Sequence, residues 1–332
     1  MTSKERVLKS LKHEEPDRVP LDLGGTPGST GIHAIAYNRL KKALGIKANK
    51  TKIYDPVYSP LAHASIDDLK DFDWLAPYSF YRIPSTDMPK EPFVTLSKEA
   101  EYWYKNSDFA LLGTFGGSIF EAAYGLRGFE EFMQDLMVNR KFAEALLDRL
   151  VEANIEYAKR YLDAVNNYIQ IIMVGGEDIG TQQGPVMDPD LYREIIKPRQ
   201  ERLWRFLKSN SDAFIFVHSC GSIYQFLSDF IDAGMDIINP VQVSAANMDS
   251  KKLKREFGGK VTFWGGGCDT QKILPYGAPG EVKQEVKRRI RDFAPGGGFV
   301  FAQVHNIQPD VPVENILAMY EAVREYGKYP IV

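Results

Sequence analysis

Tyr168-Ile169-Gln170-Ile171-Ile172-Met173-Val174-Gly175-Gly176 is the stretch on which the fold turns. A run this apolar, short and ended by glycines, suits a strand buried on both faces, as in a parallel sheet covered by helices. Upstream, Phe142, Leu146, Leu150, Ala153 and Tyr157 recur at spacings of three or four residues and form one stripe of an amphipathic helix. Downstream, Asp188-Pro189 reads as an N-cap followed by proline at the first helical position, opening a helix to about Leu207. Residues 213–217 supply the next strand.

The alternation continues outward. Helix 222–233, strand 236–239, helix 249–256, strand 260–264, helix 278–293, strand 298–304 and helix 313–326 follow in turn, and 18–23 and 110–115 read as earlier strands. With a further strand in 51–105, this pattern predicts an α/β fold, a (β/α)8 TIM barrel forming a single domain over 1–332. An open doubly wound sheet is the second reading. Residues 46–105, rich in Pro, Asp and Tyr, are expected to form an irregular cap.

Composition narrows the class. The 332 residues are 44% hydrophobic and 26% charged, enough to bury a substantial core, so disorder is excluded for most of the chain. A net charge of −3 without basic blocks argues against nucleic-acid partners and against membrane binding by bulk charge. No apolar run approaches the roughly 20 residues of a membrane helix. The charged N-terminus lacks the pattern of a signal peptide, and two cysteines are too few for a disulfide framework, so a cytoplasmic protein is expected.

In a β/α barrel the chemistry sits at the C-terminal ends of strands. Read only there, the sequence offers Asp22, Thr114, Glu177-Asp178, His218-Ser219-Cys220, Asn239, Gln242, Cys268-Asp269 and His305-Asn306. His218 and Cys220 carry the sharpest signal, because residues i and i+2 of a strand face the same way and can hold one tetrahedral metal, for which zinc has the right softness. Cys268 could add a second thiolate, and His305 a fourth group or a substrate contact. Glu177-Asp178 reads equally as an acid/base pair or as a loop-capping pair. For Asp22, Asp269 and Asn306 a turn or cap role is favoured. The glycine triplets 265–267 and 296–298 lack the context of phosphate loops and read as tight turns.

These residues resemble a known family. Lys4-Glu5-Arg6-Val7-Leu8, Glu15-Pro16-Asp17-Arg18-Val19-Pro20, Asp178-Ile179-Gly180-Thr181-Gln182, His218-Ser219-Cys220-Gly221, Trp264-Gly265-Gly266-Gly267-Cys268-Asp269-Thr270-Gln271 and His305-Asn306-Ile307-Gln308-Pro309 resemble motifs of the uroporphyrinogen decarboxylase superfamily. The resemblance implies a β/α barrel. One branch decarboxylates a porphyrinogen and uses an Arg-rich N-terminal stretch, but 21–30 holds no cation here. The other branch, zinc methyltransferases working with a corrinoid protein, binds zinc through an H-x-C pair and a later cysteine.

That branch implies zinc on His218, Cys220 and Cys268, although its third ligand falls nearer the C-terminus, where this chain has His305. Glu177, Asp178 and His305 are the expected catalytic residues; Asn239, Gln242 and Asn306 are the expected contacts to the cofactor. The implied activity moves a methyl group between a small substrate (a methyl ether, a methylamine-type donor, or a thiol or folate acceptor) and the cobalt of a corrinoid. A lyase acting on a small carboxylate is the alternative. The corrinoid is expected on a separate binding protein. Relatives that hold it themselves have Asp two positions before a histidine, whereas here Leu11, Gly31, Leu61, Phe216 and Gln303 stand there.

Overall fold

The computed structural model describes residues 1–46, 51, 53–55, 61–62, 80–83 and 92–331. The chain opens with α1 (Ser3–Leu11), α2 (Pro27–Thr30), β1 (Ile32–His33), α3 (Ala34–Ala43), β2 (Ile53–Asp55), β3 (Leu61–Ala62) and β4 (Phe80–Ile83). It continues through α4 (Pro92–Asn106), β5 (Ala110–Gly116), α5 (Phe120–Arg127), α6 (Phe129–Val138), α7 (Arg140–Val165), β6 (Ile171–Gly176) and α8 (Pro189–Leu191). A π-helical turn at Tyr192–Ile196 then leads into α9 (Lys197–Asn210), β7 (Phe214–His218), α10 (Leu227–Ala233) and β8 (Ile237–Asn239). The last elements are α11 (Ser250–Phe257), β9 (Thr262–Trp264), α12 (Ile273–Tyr276), α13 (Pro279–Phe293), β10 (Phe299–Val300) and α14 (Val313–Tyr326). Among the described residues no helix is long and apolar enough to cross a membrane.

Contacts group the chain into two compact units, the first made of 1–81, 108–110 and 239–332, the second of 82–107 and 111–238. The second unit is built on parallel strands: Leu112 pairs with Ile171 and Thr114 with Met173, while Ile172 pairs with Ile215 and Val174 with Val217. As the apolar run predicts, Ile171, Ile172 and Val174 are buried. Asp188 caps α8 by accepting the N–H groups of Asp190 and Leu191, so this helix start is chosen by the local sequence. Tyr192, Phe226, Phe230 and Trp204 form the aromatic packing of the helical side, with Tyr192 and Phe226 rings 4.8 Å apart.

In the first unit β9 and β10 are parallel, Phe263 opposite Phe299, and both rings pack on Phe293 of α13. Leu21 bridges Phe301 in parallel, with Asp22 N–H donating to Phe301 O and Phe301 N–H to Pro20 O. The strand expected at 18–23 is thus reduced to isolated bridges at Arg18 and Leu21, because Pro20 has no N–H to continue a ladder. β1, β3 and β2 form a small antiparallel sheet. Most of the cap expected over 46–105 lies outside the described residues, as does His63; its final part is the regular helix α4.

Candidate functional site

In the second unit the ends of β6 and β7 and the start of α5 converge. β7 finishes at His218, and the chain continues extended far enough that Cys220 comes back to the same side, its Sγ 3.3 Å from His218 Nε2. The turn that follows is possible only with glycine. Gly221 has φ +84, and a Cβ there would lie 2.5 Å from the backbone of Gly180; a Cβ on Gly180 would lie 2.6 Å from the Cys220 carbonyl oxygen. The two loops therefore touch backbone to backbone, and Ser222 N–H donates to Thr181 O at 2.8 Å.

Two carboxyl groups act on this pair, and a third holds the helix that carries one of them. Asp178 Oδ1 accepts the Cys220 N–H at 2.6 Å and lies 3.8 Å from His218 Nε2. Glu121, in the first turn of α5, accepts the Asp178 N–H at 3.0 Å. Glu177 is fully buried, and its two oxygens accept the N–H groups of Ile119 and Phe120 at 2.6 and 3.0 Å, closing the N-terminus of α5. Its backbone is held too, since Ser219 Oγ donates to Glu177 O and Glu177 N–H to His218 O. Glu177 thus fixes α5, α5 carries Glu121, and Glu121 steadies the loop that holds Cys220.

The electrostatics follow from this crowding. Burial pushes the Glu177 carboxyl up to about 8 against the pull of its two N–H bonds. Burial, then the Asp178 charge, raises Glu121. Burial first, and then Asp178 and Glu121, push the Cys220 thiol well up. Without a cation this cysteine is a thiol. Buried donors among carboxylates are a setting that favours a divalent ion.

The donor set also fits zinc in geometry. With Zn–N of about 2.0–2.1 Å and Zn–S of about 2.3 Å at a tetrahedral angle, the two donor atoms should sit about 3.6 Å apart. The observed 3.3 Å needs only a small adjustment.

The other expected site residues belong to the first unit. Cys268 is fully buried and free, and its thiol is raised by burial and by the charges of Glu285 and Asp269, with Arg289 opposing; Glu285 and Arg289 lie on α13. His305 adopts φ +63, and its Nδ1 accepts the Asn306 N–H at 2.9 Å. Asn306 accepts the Gly31 N–H and donates to Gly28 O, and Asn239 donates to Trp264 O, so each amide ties backbone segments together. Gln242 is buried. Asp22 is fully buried, accepts from Gly25 N–H at 2.9 Å and Trp264 Nε1–H at 2.8 Å, and burial lifts its carboxyl up to about 7. His33 is buried and caps α3 by accepting the Ile35 N–H.

Glu121 and Tyr124 are the site residues that strand-end reading misses. Both lie on α5, the helix after β5, Glu121 in its first turn and Tyr124 about one turn further on, and Tyr124 has its hydroxyl raised by burial and by the Glu121 and Asp178 charges. A Glu in the first turn of the helix after a strand was the available signal.

Comparison with known proteins gives the family. Residues 81–326 match the uroporphyrinogen decarboxylase (URO-D) family. The chain is 28% identical over 220 residues to the methylcobamide:CoM methyltransferase MtaA of Methanosarcina barkeri, covering 66% of this chain and 59% of that protein. It is 26% identical over 191 residues to the uroporphyrinogen decarboxylase of Chlorobium phaeobacteroides, covering 56% of this chain and 49% of that one. The chain thus spans about half to three-fifths of the length of these relatives. A solved methyltransferase from Methanosarcina mazei shares the fold, with a TM-score of 0.64 at 22% identity, covering 98% of this chain and 99% of the other. The chain belongs to the uroporphyrinogen decarboxylase (URO-D) family and has an α/β fold of the TIM-barrel type.

Proposed function

We propose that this protein is a zinc-dependent methyltransferase that moves a methyl group between a small substrate and the cobalt of a corrinoid carried by a separate protein. The carrying observation is the His218–Cys220 pair, 3.3 Å apart, with the Asp178 and Glu121 carboxyl groups acting on Cys220. The similarity to a methylcobamide:CoM methyltransferase supports the same reading.

Zinc would be held by His218 and Cys220 with a further protein donor, Cys268 or His305. Bound there, the ion supplies Lewis acidity, which deprotonates a thiol substrate near neutral pH or stabilises a leaving oxygen. The chain's own residues do the rest. Asp178 fixes the Cys220 backbone, and the Nε2 edge of His218 faces the donor side. Glu177 holds α5 in place as a positioning residue. Glu121 and Asp178 are the carboxyl groups able to take up or give a proton beside the pair. Asn239, Gln242 and Asn306 remain the proposed contacts to the cofactor, with His305 a further candidate for the chemistry.

The porphyrinogen-decarboxylating branch meets a physical objection. A substrate bearing several carboxylates would face like charge from Asp178 and its neighbours, and 21–30 offers no cation to offset it. The two free cysteines suit a reducing compartment, in keeping with a cytoplasmic protein acting as a single catalytic domain.

Elemental analysis tests the reading. Wild type should carry about one zinc per chain and Cys220→Ala far less, since losing a ligand costs more than the 10–100-fold of an outer hydrogen bond. Zinc at full stoichiometry in Cys220→Ala would sink the assignment. Methyl transfer from methylcobalamin to a thiol, slow alone and accelerated by a corrinoid protein, tests the activity.

A further inference from the structure

Strand register brings Asp178 beside Cys220. β6 and β7 run parallel, and Gly176 pairs with His218 where both strands end. Asp178, two residues past Gly176, therefore comes level with Cys220, two residues past His218, and neighbouring strands are only about 4.8 Å apart. The bond from Glu177 N–H to His218 O carries the ladder into this stretch.

Three donor groups meet as a result. His218 Nε2 lies 3.3 Å from Cys220 Sγ and 3.8 Å from Asp178 Oδ1, and the Cys220 thiol is hydrogen-bonded to the Asp178 carboxylate. Zinc with Zn–N and Zn–O bonds of about 2.0–2.2 Å at a tetrahedral angle sets such nitrogen and oxygen donors about 3.4 Å apart. The carboxylate is thus a few tenths of an ångström from the place of a ligand. A metal ion that displaces the thiol proton meets nitrogen, thiolate and carboxylate together.

The neighbouring carboxyl groups are engaged elsewhere. Both Glu177 oxygens accept N–H groups at the start of α5, and Glu121 accepts the Asp178 N–H. Asp178 Oδ1 accepts the Cys220 N–H, which leaves lone pairs on a carboxylate able to take about four partners. Its side chain is 37% exposed against 11% for His218, so an ion can reach it from solvent.

We infer that Asp178 is itself a metal ligand, beside His218 and Cys220. This rests on the zinc reading above and adds a donor from the same unit as the pair. Asp178→Asn tests it, because the amide oxygen still accepts the Cys220 N–H while the anionic donor is lost. Zinc affinity, measured by competition with a chromophoric chelator, should fall more than about 100-fold, beyond the range of a change outside the ligand shell. Asp178→His, which offers an imidazole in the same place, should regain most of it. Cobalt(II) in place of zinc gives a second readout, since its visible absorption reports the ligand set and should differ between wild type and Asp178→Asn. Circular dichroism checks the fold of each variant.

A smaller loss of zinc affinity, or an unchanged cobalt spectrum, in Asp178→Asn overturns the inference, since a residue that only holds the Cys220 backbone leaves the metal's ligands as they were. Where the Asn variant takes up no cobalt at all, failure of folded Asp178→His to regain it overturns the inference too. Wild type that binds neither ion, or Cys220→Ala that binds both as tightly as wild type, defeats the zinc reading itself and this inference with it.

Discussion

Replacing Asp22 by Asn should change the way folding stability depends on pH, and the structure gives the size and sign. The carboxyl is fully buried in the first unit, and burial lifts it from an ordinary 3.8 to about 7. Between those values the folded chain holds a proton that the unfolded chain has released. The unfolding free energy must therefore fall as pH rises through that window, by up to about 1.4 kcal/mol per unit. Over the part of the window between pH 5 and pH 7 the loss is about 2–3 kcal/mol. The Asn variant has no such proton. It carries instead a constant cost of about 1–3 kcal/mol, because Asn has one acceptor where Gly25 N–H and Trp264 Nε1–H both donate.

Wild type should accordingly be the more stable protein at pH 5, and its advantage should shrink or reverse by pH 8. Urea unfolding at several pH values reads this directly. Tryptophan emission is a suitable probe because Trp264 donates to the carboxyl, and far-UV circular dichroism checks that the transitions coincide. A stability difference that stays constant from pH 5 to pH 8 would refute the reasoning. It would mean that the two N–H donors keep Asp22 ionised throughout.

Glu177→Gln should lower stability by about 1–3 kcal/mol, because one of the two N–H groups at the start of α5 loses its acceptor, so the melting temperature should drop by several degrees. A melting temperature equal to that of wild type would remove the capping role. Asp178→Asn, at a partly exposed carboxyl, should leave melting nearly unchanged and reduce methyl transfer by about 10²-fold if that group handles a proton; full activity would return it to a purely structural role. Gly221→Ala should cost about 2–4 kcal/mol, from the positive φ together with contact against the Gly180 backbone, and wild-type melting would show that the loop relaxes freely. Zinc content of Cys268→Ser and His305→Ala should separate the two candidates for the further ligand: the true ligand's variant loses metal and the other retains it.

Much of the architecture is written locally. The helix expected around Phe142 to Tyr157 is α7, although it buries Ala143, Leu147, Val151 and Ala158, one position along from the expected stripe, and leaves Phe142 exposed; the apolar run is β6 and Asp188-Pro189 starts its helix, because side-chain period and capping chemistry act within a few residues. The His218–Cys220 pair was legible for the same reason, since i and i+2 share a face on any extended chain. Other features depend on residues far apart in the chain. Glu121 joins the site only because Glu177, 57 residues beyond Phe120, caps the helix that carries it. Its place at a strand end and the family resemblance offer Cys268 as a second thiolate, whereas the packing of α13 sets charged Glu285 and Arg289 among its surroundings. The strand expected at 18–23 is two bridges, to Phe301 and Lys328, partners at the other end of the chain that no local pattern identifies. Periodicity alone cannot tell that α6 buries Phe132 and Leu136 and leaves Phe129 and Met137 bare. Both stripes are equally apolar in sequence, and only the helices packed beside α6 determine which one is covered.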